Sequence, residues 1–297
     1  MKLSFAWWNT ALSLSGKPRA NNEQKIFALI LLNKLLTEFE IDFIALGEVC
    51  DEDVRFFRRG LIDGFSIQGG NLDSNGIKFH TCFIWREQNI IVADATDRVL
   101  IRGSKNFRLA QRVELAITDT DDQIHLFVSH WPSRLYYPNN HPVRHELGLR
   151  LRDAVNEALD KTKYIILMGD YNDEPFDFSL SEQLQATRDK NFAQRKRQLL
   201  YNPFWRHMVQ PLNIEKTSEV IAAAGSYYHK QGDITRWRTF DQIIFSAAFL
   251  GNTTWRLNEA LTGIIDIPEY SALVMKAKEI FDHIPIMGTI ETEVDNG

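Results

Sequence analysis

The chain has 297 residues, 44% hydrophobic and 25% charged, with a formal net charge of −5. This is the composition of a globular protein with a large core, and its mild acidity counts against bulk binding of polyanions. It does not exclude a nuclease, because metal ions supply local positive charge at a scissile phosphate.

Two cysteines, Cys50 and Cys82, show neither metal-ligand spacing nor a disulfide framework. The opening segment MKLSFAWWNT is too short and too broken by polar residues for a signal peptide. No run approaches the roughly 20 apolar residues of a membrane span. No linker or repeat interrupts the chain, so the expectation is a single cytoplasmic domain over residues 1–297.

The segment KLSFAWW reads as a first strand. Residues 20–39 follow as an amphipathic helix, with Ile26, Leu29, Ile30, Leu32, Leu36 and Phe39 at roughly helical spacing. IDFIALGEV is a short apolar strand carrying Glu48 near its end, and residues 51–60 read as a second helix. HTCFIWR, NIIVAD, QRVELAIT and IHLFVSHW are consecutive strands joined by polar turns. A long helix over 141–161 leads to the strand YIILMG. Residues 176–210 read as helical and basic, RTFDQIIFS as a strand, and IPIMGTIETEV as the last strand. Hairpins interrupted by long helices predict an α/β sandwich with two sheets inside and helices outside.

Most of these strands carry, at or near an end, a polar residue that a buried strand does not need. Asn9 follows FAWW, Glu48 follows FIALG, His130 follows LFVS, and Asp170 and Asn172 follow ILMG. Asp241 precedes QIIF, and Asp282 and His283 precede IPIM. Each has a local reading: Asn9 as a turn cap, Glu48 as a partner of the next helix's N-terminus, His130 as a satisfied core histidine, GDYNDEP as a turn. If the strand ends converge, the same residues form a set with a chemistry. Carboxylate and amide oxygens suit Mg²⁺. Histidines donate to phosphate oxygens, an Asp beside a His fixes its orientation, and a spare Asp positions or deprotonates a water. Together these parts perform metal-assisted hydrolysis of a phosphate ester.

In this order along the chain, with GDYNDEP and FDHIP as the more specific motifs, the sequence resembles the endonuclease/exonuclease/phosphatase superfamily from Asn9 to Pro285. That superfamily includes deoxyribonuclease I, AP endonucleases, deadenylases, neutral sphingomyelinases and inositol polyphosphate phosphatases. SHWPSR, LYNPFW and GSYYHKQGDITRWRTFDQIIFS look like a bacterial branch of it. The resemblance implies a four-layer α/β/β/α sandwich with two mixed sheets, its site at one sheet edge, and a Mg²⁺ or Mn²⁺ cofactor. It implies that Glu48 is the principal metal ligand, assisted by Asn9 and Asp282. Asp170 would align or deprotonate the attacking water, and Asn172 would hold the scissile phosphate. His130 and His283 would stabilise the pentacovalent phosphate, either one protonating the leaving oxygen, and Asp241 would orient His283.

The chain departs from the family pattern in places. Gly47 stands where many members have Gln, Ala11 where some have an acidic residue, and GIKFH where a carboxylate partner for His130 is expected. Asp173-Glu174 follows Gly-Asp-x-Asn, which lowers the inositol phosphatase option.

Substrate clues are basic and aromatic. Trp131, Arg134 and Tyr136 follow the proposed catalytic His130, and Arg238 lies just before Asp241. An arginine grips phosphate and aromatics stack on unpaired bases. The run Arg195-Lys196-Arg197 reads either as a nucleic-acid contact or as a solvated helix face. The leading expectation is a nuclease acting on DNA or RNA. The alternatives are a phosphatase or phosphodiesterase for a small or lipid phosphate, and a binding protein that retains the fold.

Overall fold

The computed structural model describes residues 1–71, 77–209 and 223–292. In chain order its strands are β1 (Lys2–Asn9), β2 (Phe43–Gly47), β3 (Phe65–Gly69), β4 (Thr81–Arg86), β5 (Ile90–Arg102), β6 (Lys105–Ile117), β7 (Gln123–His130) and β8 (Tyr164–Asp170). These are followed by the two-residue β9 (Ala186–Thr187), β10 (Leu200–Tyr201), β11 (Tyr227–Tyr228) and β12 (Trp237–Arg238), then β13 (Asp241–Ser246), β14 (Trp255–Ile264) and β15 (Ile286–Thr292). The α-helices are α1 (Asn22–Glu38), α2 (Asp51–Gly60), α3 (Pro142–Leu159), α4 (Lys190–Arg195) and α5 (Pro268–Val274).

One sheet has the order β14-β15-β1-β2-β4-β3, the other β5-β6-β7-β8-β13-β10-β9. Both faces of the central strands are buried, which is why they read as unbroken apolar runs. In β1, Leu3, Phe5 and Trp7 face the second sheet, packing with Val113, Leu126, Met168 and Phe245. Ala6 and Trp8 point the other way, against Leu31, Leu32 and Leu35 of α1 and Tyr270 of α5. In β8, Ile165 and Leu167 turn outward onto Leu147, Leu151 and Val155 of α3. The result is a helix, sheet, sheet, helix sandwich.

Each sheet contains one parallel pair joined by a long helix, β1-α1-β2 in the first and β7-α3-β8 in the second, and the second also has the short parallel pair β9-β10 joined through α4. A parallel crossover brings both strands' C-terminal ends to the same edge. The antiparallel neighbours β15 and β13 start from that edge, with Ile286 opposite Trp7 and Asp241 opposite Asp170. Six strand ends therefore meet at one rim, and every polar residue singled out at a strand end is on one of them.

Local sequence sets the details. A capping box between Asn21 and Gln24 starts α1. His141 caps α3, and Pro142 occupies its first turn. Gly169 has φ +149, and a Cβ there would lie 1.8 Å from the Ser129 carbonyl oxygen, so only glycine lets β8 approach β7 this closely before Asp170.

Three expectations are corrected. Residues 176–209 are not one helix: they hold a π-helical turn (Ser179–Gln183), β9, α4, β10 and a 3₁₀ turn (Pro203–His207), while Gln210 lies outside the described residues. Ile26 and Ile30 of α1 are 51% and 62% exposed; the buried stripe runs through Ala28, Leu31, Leu32, Leu35 and Leu36. β5 and β6 extend well past NIIVAD and QRVELAIT as a bulged hairpin, and β3 and β14 are strands the sequence reading left unassigned. Residues 293 and 294 of the expected last strand are outside the described residues. Among the described residues, no helix is long and apolar enough to cross a membrane.

Candidate active site

The rim residues are held in place by backbone geometry that ordinary residues avoid. Ala11, Glu48, His80 and Asn172 all have φ between 51 and 56, a conformation costing about 1–2 kcal/mol each for a residue with a Cβ. Local hydrogen bonds hold them there. The Ala11 amide donates to Asn9 Oδ1 at 3.2 Å and the Asn172 amide to Asp170 Oδ1 at 2.8 Å. The Ser13 amide donates to the Glu48 carbonyl at 2.7 Å, and the Val49 amide to the His80 carbonyl at 3.1 Å. Buried Asp53 anchors the 11–16 loop from below, accepting from Ser13 Oγ at 2.5 Å while paired with Lys25 at 2.7 Å. Asp53, not Glu48, completes the α2 capping box, so the Glu48 carboxylate is left for the rim.

The rim brings together Asn9, Glu48, His130, Asp170, Asp241, Asp282 and His283. Asn9 Nδ2 lies 3.4 Å from Asp170 Oδ2 and 3.5 Å from His283 Nε2. His283 Nδ1 is 2.7 Å from Asp241 Oδ2, while its Nε2 is 3.8 Å from Asp170 Oδ2 and 4.0 Å from Asp282 Oδ1. His130 Nε2 is 3.8 Å from both Glu48 Oε1 and Asp170 Oδ2. Its Nδ1 is buried with no hydrogen-bond partner among the described residues. The expected carboxylate partner for that nitrogen is missing there, as GIKFH foreshadows. A short staple ties the two late strands to this cluster. Ser226 Oγ accepts from the Asp241 amide at 2.9 Å, the Ile284 amide donates to the Ser226 carbonyl at 2.7 Å, and the Tyr228 amide donates to the Asp282 carbonyl at 2.8 Å.

Crowding these groups in a dry rim pushes their proton affinities apart. Burial, then repulsion from Asp282, raises Glu48. Burial likewise raises Asp282. Burial and the Asp241 charge push Asp170 up to about 7. The two histidines move in opposite directions. Burial opposes charge on His283, but Asp241 and Asp170 outweigh it and raise it to about 10. Burial and then Arg108 push His130 well below the usual imidazole range. His283 is thus held as the cation and His130 as the neutral ring.

Three contributors lack a sequence signal. Arg108 in β6 points away from Phe107 and Leu109, which pack in the α3 layer. Its guanidinium donates to the Phe79 carbonyl and interacts with Glu48 and Asp170. Trp7 donates its indole N–H to Asp241 Oδ1 at 2.7 Å. Tyr227 packs 4.7 Å from the His283 ring and stacks on Phe240.

Beside the cluster is a cleft of about 260 Å³ lined by Ser133, Arg134, Leu135, Asn172, Tyr227, His229, Arg238 and Phe240. Of the residues expected to touch substrate, Arg134 and Arg238 line it. Arg134 is largely engaged already, donating to the Asn172 carbonyl at 2.8 Å, pairing with Asp173 and Asp177, and lying over the Phe240 ring. Tyr136 is 78% exposed nearby. Trp131 is a correction: it is fully buried, its indole donates to the Leu109 carbonyl at 3.0 Å, and it packs edge-on against Tyr171, so it has no face for a substrate. The basic run is also misplaced for this site. Arg197 lines a different cleft with Lys163 and Ser246, at the far end of β13 from Asp241, about 17 Å away along the strand.

Two donor sets could hold a metal ion. Asp170, Asp241 and His283 offer ligand atoms within 4.8 Å of one another. Both Asp241 oxygens, however, already bind Trp7 and His283, and His283 Nδ1 is spent on Asp241. The oxygen set of Glu48, Asp282 and Asn9 fits better. Its two carboxylates are partly buried, Asp282 raises the proton affinity of Glu48, and with the Asn9 amide oxygen they form the hard-oxygen donor set that Mg²⁺ and Mn²⁺ favour.

A sequence model described as "Endonuclease/Exonuclease/phosphatase family" matches residues 71–266. No curated protein matches the chain. Among solved structures, the chain is similar to the human Nocturnin catalytic domain with bound sulfate anion: 16% identity, 98% of this chain and 95% of that one covered, TM-score 0.61. It is similar to Bacteroides thetaiotaomicron VPI-5482 mannosyl-6-phosphatase Bt3783, at 13% identity over 98% and 100% of the two chains, TM-score 0.61. A third is D. rerio TDP2 complexed with single strand DNA product, at 15% identity over 98% and 99%, TM-score 0.58. At these identities the likeness speaks for the fold alone.

Proposed function

The chain belongs to the endonuclease/exonuclease/phosphatase family, and on that premise we propose that it is a divalent-metal-dependent phosphoesterase that hydrolyses the phosphodiester backbone of a nucleic acid. One observation carries the reading. Glu48, His130, Asp170, Asp241, Asp282 and His283 converge at a rim whose adjoining cleft presents arginine and stacked aromatic rings.

Glu48, Asn9 and Asp282 would hold Mg²⁺ or Mn²⁺, which when bound polarises a phosphate oxygen. Asp170, with an affinity near neutrality, takes the proton of the attacking water. His283, fixed as a cation by Asp241, donates through Nε2 to a phosphate oxygen as charge builds in the transition state. Neutral His130 faces the same space from the other side. Arg108 offsets the added negative charge, and Asn172 positions the phosphate from the cleft wall.

Arginine and stacked rings suit an unpaired nucleotide, and the similarity to TDP2 bound to a single-strand DNA product agrees. The net charge and the small cleft favour a second reading, a phosphatase for a sugar-sized phosphate ester, in line with the neighbouring mannosyl-6-phosphatase. Two free cysteines, one fully buried, agree with a cytoplasmic location.

The test is cleavage of labelled single-stranded DNA, duplex DNA, RNA and a hexose phosphate, each with Mg²⁺, with Mn²⁺ and with EDTA, beside Asp170→Asn. Metal-dependent polymer cleavage that the variant lacks is the expected result. Phosphate release from the sugar ester alone would replace the nuclease reading with the second one, and activity persisting in EDTA would overturn the metal-dependent mechanism.

A further inference from the structure

Asp241 is fully buried and both of its carboxylate oxygens are engaged: Oδ2 with His283 Nδ1, Oδ1 with the indole N–H of Trp7, each at 2.7 Å. Trp7 comes from the other sheet, 234 positions away in sequence. Its ring is fully buried on the face of β1 that looks into the sandwich and meets His130 edge-on at 6.2 Å. The benzo edge lies against Gly47, where a Cβ would come within 2.6 Å of Cη2 and 2.8 Å of Cζ2. The missing side chain at 47 and the large one at 7 are two halves of one fit.

We infer that Trp7, seated in the space left by Gly47, is a positioning residue that locks the Asp241 carboxylate and through it the His283 ring. A carboxylate held on one oxygen pivots about its χ2 bond, whereas one held on both does not. An N–H donated to a charged acceptor in a dry site is also among the stronger neutral-donor hydrogen bonds. With Asp241 fixed, His283 Nε2 keeps its aim at the space before Asp170 Oδ2. Ordinary core packing would need the ring of Trp7 but not the N–H, and would not place that N–H on the one carboxylate that orients the cationic histidine. The kinetic consequence rests on the proposed hydrolysis; the structural lock does not.

The experiment uses the full chain and three variants: Trp7→Phe, Gly47→Ala, and the two combined. Trp7→Phe keeps an apolar ring but leaves Asp241 Oδ1 without its donor. Gly47→Ala keeps the indole but pushes it off its seat, so it serves if Trp7→Phe fails to fold. The first readout needs no activity: the far-downfield proton NMR signal of the His283 Nδ1–Asp241 hydrogen bond, in EDTA. It should broaden or shift in both single variants. The second is kinetic: kcat should fall roughly 10- to 100-fold with KM within about twofold. The double variant should be no worse than Trp7→Phe, since both changes break the same lock. An unchanged His283 signal accompanied only by a lower melting temperature would reduce Trp7 to packing and overturn the inference, as would unchanged kcat in both single variants. Wild-type protein inactive on every phosphate ester would instead remove the hydrolysis reading, leaving the spectroscopic arm to decide the lock.

Discussion

Asp170 is a carboxylate that the fold would hold more easily as an amide. It is buried, faces Asp241 and Glu48, and has its proton affinity raised by that burial and by those charges. Asp170→Asn keeps the Oδ1 that accepts from the Asn172 amide and removes the repulsion. The expected outcome is opposite movement of two quantities. In EDTA the melting temperature should rise by roughly 2–4 °C, the equivalent of about 1 kcal/mol, while kcat on the preferred ester falls by about 10²–10⁴. A melting scan beside a rate measurement checks both, and a variant that loses stability along with rate would make Asp170 structural. At this scale the sequence was most readable where a polar residue ends a buried apolar run, because nothing about the run itself requires it: Asn9, Glu48, His130, Asp170, Asp241 and Asp282-His283 all sit on the rim. It was least readable where one residue type serves two purposes. Trp7 inside FAWW reads as core, and it is core, yet its N–H serves the site through a partner 234 positions away. Trp131, next to His130, reads as a substrate platform and is buried. Arg108, in the alternating NFRLAQR, reads as a solvent-facing residue until the strand's inner side is known to end at Glu48 and Asp170.

Elements long enough to show a period were legible in their position. The helices over 22–38, 51–60 and 142–159 fall where residues 20–39, 51–60 and 141–161 predict them. The stretch from 176 to 209 was not, because its charges mimic a helix face while Leu180, Leu184, Ala186, Ala193 and Leu200 are buried one or two at a time among short pieces. Those pieces are held by tertiary contacts rather than by propensity, and His207, the last residue of the Pro203–His207 turn, shows what that entails. It is pressed against Gly263 of β14, and burial, then the Arg206 charge, lowers it to about 4. Its value in the unfolded chain is about 6.5, so the unfolded state binds the proton more readily. Stability is therefore complete above about pH 6.5 and is lost as the pH falls from there toward 4. Urea unfolding of wild type and His207→Gln at about pH 7.5 and about pH 4.5 should show wild type losing roughly 2 kcal/mol more than the variant, after allowance for partial exposure. Equal losses would mean that the ring is solvated in the folded protein.

Across the whole molecule, the two crossovers β1-α1-β2 and β7-α3-β8 convert an order along the chain into a place in space, which is why motifs spread from Asn9 to Pro285 are informative only together. Charge does not follow that layout. The net charge is −5, and the basic run at 195–197 lies toward the edge opposite the rim, with Arg197 in the cleft beside Lys163 and Ser246. Near the rim, Arg134 is held by both Asp173 and Asp177 and Arg238 more loosely by Glu174 at 3.5 Å, so Arg108, Arg238 and protonated His283 are three of the cations that would face a phosphate. A protein that meets a single strand with about three positive groups releases few counterions, so the logarithm of its affinity should fall with the logarithm of salt concentration with a slope of about −2. Anisotropy titrations of Asp170→Asn with a labelled single-stranded oligonucleotide, in EDTA across a salt series, measure that slope. Reversing Arg195, Lys196 and Arg197 to glutamate should leave it unchanged, whereas Arg238→Ala should reduce its magnitude by somewhat under 1. A slope steeper than about −5 that collapses on the triple reversal would mean that the strand runs the length of the β13 edge to the far cleft, and that the basic run, remote as it is from the reacting phosphate, is part of the substrate track.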